Sequence, residues 1–209
     1  MGGKLGRKFA AVVIALSAVS TMAVLAQPTG ASDTSILKFN YNIDATTHLK
    51  TLDQTIVLKG GTFLGGIDFD TVTQYAPLKG WISLPKATFT YRAAGILPLV
   101  VATAKVIPTK AVTGQLDLQH LTVTATATFN IRIIDAHAQG TTTNLVGDQC
   151  VTATPVVVTM SGVASLGTAS TFSGEFTLPQ LKNCGLGTTA LNLVMPGPGN
   201  TFSAAATPK

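Results

Sequence analysis

Leu121-Thr-Val123-Thr-Ala125-Thr-Ala127-Thr-Phe129-Asn-Ile131-Arg-Ile133 is the stretch that decides the fold class. Apolar side chains take every odd position, while Thr122, Thr124, Thr126, Thr128, Asn130 and Arg132 take the even ones. A period of two sends successive side chains to opposite faces of an extended chain, so this is a long strand with one dry face. The flanking sequence repeats the pattern. Upstream, Leu37-Lys-Phe39-Asn-Tyr41-Asn-Ile43-Asp alternates with its apolar members inward, and Thr55–Lys59 is a shorter strand. Gly60-Gly61 and Gly65-Gly66 mark turns or bulges around Thr62-Phe63-Leu64, and Ile67-Asp-Phe69-Asp-Thr71 alternates again. Gly80–Tyr91 is a strand bent at Pro85, since proline cannot donate to a ladder. Leu97–Ile107 is mainly apolar, with Pro98 and Pro108 at its ends.

Downstream, Gln139–Gln149 is loop-like, and Pro155–Ser161 and Ser170–Leu178 are strands joined through Gly162–Gly167. Cys184–Asn200 reads as a glycine turn, a short apolar segment and a Pro/Gly turn, leading into a closing strand Thr201–Ala206. Leu186–Met195 is the one helix the pattern allows, and its spacing would turn Leu186, Ala190, Leu193 and Val194 toward the sheet. Eight or nine strands with at most one short helix, and no βαβ alternation, predict an all-β domain. An antiparallel β-sandwich is the first expectation, and a closed or partly closed β-barrel the alternative, because alternation does not say whether a sheet closes.

Residues 1–31 read as a secretory signal peptide. Lys4, Arg7 and Lys8 precede an apolar run from Phe9 to Ala26, and small residues offer cleavage after Ala26 or Ala31. The expected mature chain is a single domain, 32–209. The full chain carries 14 basic and 9 acidic residues; setting the leader aside leaves 11 basic against the same 9. A near-neutral surface makes no case for nucleic acid, which needs a clustered basic face. Cys150 and Cys184, the only two cysteines, are expected to pair as a disulfide in an exported chain. The predicted location is therefore extracellular or in the cell envelope.

Phe176-Thr-Leu-Pro179, Asn183-Cys-Gly-Leu186 and Pro196-Gly-Pro-Gly-Asn-Thr-Phe202 resemble the C-terminal run of uncharacterised exported, β-rich proteins of actinobacteria. The resemblance is most specific over the C-terminal part of the chain. Upstream it extends only to a shared style, as in Phe39-Asn-Tyr and Ser83-Leu-Pro. It implies export, a disulfide and an all-β domain, and it supplies no catalytic residue.

Candidate chemistry is sparse. Asp135-Ala-His137 sets a carboxylate and an imidazole on one strand face, a pair that can begin a metal site or a catalytic dyad once further groups join it. Asp68 and Asp70 share a face in the same way and could serve acid/base or calcium chemistry. His48 and His120 stand alone at strand ends. Gly162-Val-Ala-Ser165-Leu-Gly167 has one residue too many before its serine for a nucleophile elbow. No phosphate-binding loop, dinucleotide fingerprint or zinc-protease motif occurs. The expectation is a non-catalytic domain without metal or cofactor, holding an apolar or lipid ligand. The alternative is an oligomeric envelope barrel or pore subunit, with a hydrolase using Asp68, Asp70, Asp135 or His137 as the third reading. Leu97–Ile107 and Leu186–Met195 are the stretches that would supply apolar surface beyond the core.

Overall fold

The computed structural model describes residues 35–69, 74–92, 99–165 and 167–209. The leader, Asp70 and the start of the Leu97–Ile107 stretch lie outside the described residues. Twelve strands run through the rest: β1 Ser35–Leu49, β2 Gln54–Phe69, β3 Tyr75–Ser83, β4 Ala87–Arg92, β5 Leu99–Pro108, β6 Val112–Asp117, β7 Thr122–Ala138, β8 Val151–Thr152, β9 Val156–Val163, β10 Ser170–Leu178, β11 Leu181–Lys182 and β12 Gly197–Pro208. A 3-10 turn, Gly185–Gly187, leads into the short helix α1, Thr188–Val194.

The sheet closes. β7, β6, β3, β2, β1, β12, β10 and β9 pair in that order, and β9 returns to β7, giving an eight-stranded antiparallel barrel. The barrel, not the sandwich, is thus the architecture. The reason lies in the decisive stretch itself: Thr126 of β7 faces Thr113 of β6 on one edge and Thr159 of β9 on the other, so no edge is left open there. Leu121, expected on the dry face, instead sits in the turn before β7 with a positive φ of 52° and stays half-exposed.

Eight strands leave an interior just wide enough to be filled by side chains. Phenylalanines fill it, and glycines on facing strands make room for them. Phe39 faces Gly65, and Gly65 faces Gly80. A methyl group on Gly80 would stand 2.5 Å from the Phe63 ring and 2.6 Å from the Leu64 carbonyl oxygen. Phe172 likewise faces Gly162, and Phe202 faces Gly174. Large and small residues thus alternate across the interior, as a small barrel requires. This explains why β2 is one strand where the sequence suggested several: Gly61, Gly65 and Gly66 continue the ladder. Only Gly60 makes a bulge, at φ 80°, with Asp44 Oδ1 accepting its N–H at 2.8 Å.

The second half of β7 leaves the barrel and builds a cap. β5 lines one of its edges, β4 adds to β5, and β8 with β11 lies on the other side. Phe89, Tyr91, Ala102, Ile133 and Ala136 of the cap join Ile43, Leu58, Val158 and Phe202 of the barrel in one core. The break at Pro85 separates β3 from β4, so barrel and cap strands are halves of bent ribbons. Cys150 and Cys184 form the expected disulfide inside this cap, fully buried.

Helix α1 has the predicted position but a different phase. Leu191 and Met195 face the core and Val194 packs against it as expected, while Leu186, Ala190 and Leu193 face solvent. Asn192 sets that phase by pairing with both backbone groups of Leu181: its side-chain oxygen accepts from the amide at 2.7 Å, and its NH2 donates to the carbonyl at 2.8 Å. Asn200, fully buried, ties the far turn. It accepts from the Lys50 amide at 3.0 Å and donates to the carbonyls of Gly197 and Phe176 at 2.8 and 3.3 Å.

Candidate functional site

Two of the three histidines, His120 and His137, are hydrogen-bonded to a nearby carboxylate. His137 Nδ1 donates to Asp135 Oδ2 at 2.7 Å on the cap half of β7, as the D-x-H spacing predicted. Asp135 lies opposite Thr103 of β5, whose hydroxyl shares a 3.0 Å hydrogen bond with Thr88. His120 Nδ1 donates to Asp117 Oδ2 at 2.8 Å in the turn between β6 and β7. That bond holds the Asp117 carboxyl well below the usual carboxylate range, outweighing the opposing effect of desolvation. Gln74 and the amides of Gln119 and His120 also donate to Asp117, making it the clasp of that turn. His48 bonds Thr55 and lies 3.7 Å from the exposed Asp53.

None of these pairs gains a third partner of metal-binding type: among the described residues no cluster of three His, Cys, Asp or Glu forms. Asp68 pairs across to Ile36 at the barrel end opposite the cap, so it is not brought to Asp135 and His137. Ser165 bonds Thr168 and donates its amide to Ser170 in the β9–β10 loop, a turn role.

The outer wall is more informative. Two recesses flank β10. One of about 440 Å3 is lined by Thr46, His48, Thr55, Ser173, Glu175 and Ser203. The other, about 620 Å3, lies between Pro155, Val157, Glu175, Thr177 and Pro198. Register explains the first: Thr55, His48, Thr201, Glu175 and Thr159 form one lateral row across five strands. This row is one of hydroxyls with Glu175 as its carboxylate, while Val57, Val157 and Val163 stand exposed on neighbouring outward positions.

The wall of β1, β2 and β3 differs. Ile36, Leu64 and Trp81 each keep more than half of their surface in water (58%, 56% and 56%). Leu64 and Trp81 are direct cross-strand neighbours. In the adjacent row Lys38 and Lys79 pair on either side of Gly66. The sequence reading passed over this group. Trp81 was legible as outward from Gly80 and Ile82 on either side of it. Leu64 was not, because the glycines of β2 hid the continuity that fixes its face.

No family model, curated protein or solved structure matches the chain.

Proposed function

We propose that the protein is a non-catalytic β-barrel of the cell envelope that works through its outer wall, with lipid as the ligand class. The observation that carries this reading is the direction of the alternation. Barrel interiors that hold a ligand keep a cavity; here Phe39, Phe63, Phe172 and Phe202 pack against facing glycines. Barrels embedded in lipid are apolar outside and polar within. Here Val123, Ala125 and Ala127 are buried inside while Thr122 and Thr124 are exposed outside, which speaks against the pore-subunit alternative. Export rests on the basic–apolar–small pattern of residues 1–31, and a buried disulfide is compatible with an oxidising location.

Native mass spectrometry of the exported protein, together with its sedimentation with washed host envelopes, tests the reading. The expected result is a chain two hydrogens lighter than its reduced form, carrying no enclosed ligand, that re-associates with envelopes. A ligand released only on denaturation, or failure to associate with envelopes, would overturn it.

A further inference from the structure

We infer that the β1–β2–β3 wall docks on an anionic lipid surface through Ile36, Leu64 and Trp81, with Lys38 and Lys79 meeting the headgroups. The inference rests on the reading above and names the face and the charge of its ligand. Single exposed apolar residues are ordinary on a barrel; three on adjacent strands are a patch. Register makes Leu64 and Trp81 a direct pair and sets Ile36, opposite Asp68, on the far side of the Lys38–Gly66–Lys79 row. Leu64 stands directly opposite Trp81, and Ile36 Cγ2 lies 3.1 Å from where a side chain on Gly66 would begin, so it leans into the gap that glycine leaves. Neighbouring strands are only about 4.8 Å apart, which brings Leu64 and Trp81 within reach of one another, with the lysine row between them and Ile36.

The two lysines decide the occupant. Lys38 and Lys79 are both exposed, with no side chain between them on Gly66; Asp68, opposite Ile36 in the next row, offsets one of the two charges and leaves the group positive. Among the described residues, neither takes part in an ion pair. Indole rings settle at the boundary between headgroups and acyl chains, and lysines beside them are drawn to anionic headgroups. A second copy of the chain fits less well: an isologous contact on this patch would gather four lysines against only two Asp68 carboxylates.

Trp81 is the only tryptophan in the chain, so its emission reports on the patch alone. The exported protein is titrated with phosphatidylglycerol–phosphatidylcholine vesicles and with phosphatidylcholine vesicles. The expected result is a blue shift with the anionic vesicles that is reversed by salt. K38E/K79E should weaken partitioning by roughly 30-fold or more, the loss of each lysine contact counting for about fivefold. L64S should weaken it as well, and the control K182E, on the cap strand β11, should leave it unchanged. Three outcomes would overturn the inference: no shift with either vesicle, equal partitioning into neutral vesicles, or full partitioning of K38E/K79E. A blue shift without vesicles, accompanied by a doubled mass in light scattering, would assign the patch to a second copy instead. Envelope association that persists without vesicle binding would sink this inference and leave the proposed function standing.

Discussion

The two sides of the barrel share an interior and differ outside. Behind both walls, phenylalanines meet glycines: Phe39 and Phe63 with Gly65 and Gly80 under β1–β3, Phe172 and Phe202 with Gly162 and Gly174 under β9–β12. In front, β1–β3 offers Ile36, Leu64 and the indole of Trp81 beside two lysines, whereas β9, β10 and β12 offer Thr159, Ser173, Thr201 and Ser203 with only the smaller Val157 and Val163 exposed among them. The packing needs of a small barrel therefore dictate the inner face everywhere and leave the outer face free to vary. A difference confined to the outer face is where a surface function would be written.

That comparison can be broken or sharpened by substitution. The largest effect should come from the cap on which both walls stand. Cys184→Ala opens a loop spanning 34 residues in sequence and should cost about 4 kcal/mol in the chain-entropy account, read as a drop in melting temperature under oxidising conditions. Asn200→Leu comes next, at about 2–3 kcal/mol in urea denaturation, because the Lys50 amide and the Gly197 carbonyl lose their buried partner. Gly80→Ala and Gly162→Ala should each cost about 1–3 kcal/mol, since the added methyl meets the Phe63 ring in one wall and the Thr171 carbonyl in the other. Similar losses would sustain the claim of a common interior; a neutral result at either glycine would break it. On the outside, Ser203→Lys should stay within about 0.5 kcal/mol of the parent.

Asp117 gives a pH-dependent test of the turn that starts β7. Its carboxyl titrates lower in the folded protein than in the unfolded chain, so its contribution is full above the ordinary carboxylate value of about 4 and is lost as pH falls below it. Asp117→Asn should therefore flatten the decline in melting temperature between neutral and strongly acid buffer. A decline as steep as the parent's would contradict the assignment.

The all-β class and most strands were legible because alternation is a local property. Ser170–Leu178 has the bounds read from the sequence, and the Pro85 bend falls between β3 and β4. Closure was not legible: it depends on which strand lies beside β7, and the same dry face serves a sandwich or a barrel. The phase of α1 was hidden for a related reason. Leu186, Ala190 and Leu193 share a helical face as well as Leu191 and Met195 do, and the choice is made by Asn192 binding Leu181, a contact set by tertiary placement. The D-x-H pairing of Asp135 and His137 was readable from a period of two. The Trp81 patch needed the β2 register, which the glycines concealed.

The most direct measurement of the central claim is photo-crosslinking from the two walls. A benzophenone side chain replaces Trp81 in one variant and Ser203 in another, and each is illuminated on washed host envelopes. The account predicts lipid adducts from position 81 and none from position 203. Adducts from position 203 alone, or equal yields from both, would contradict it.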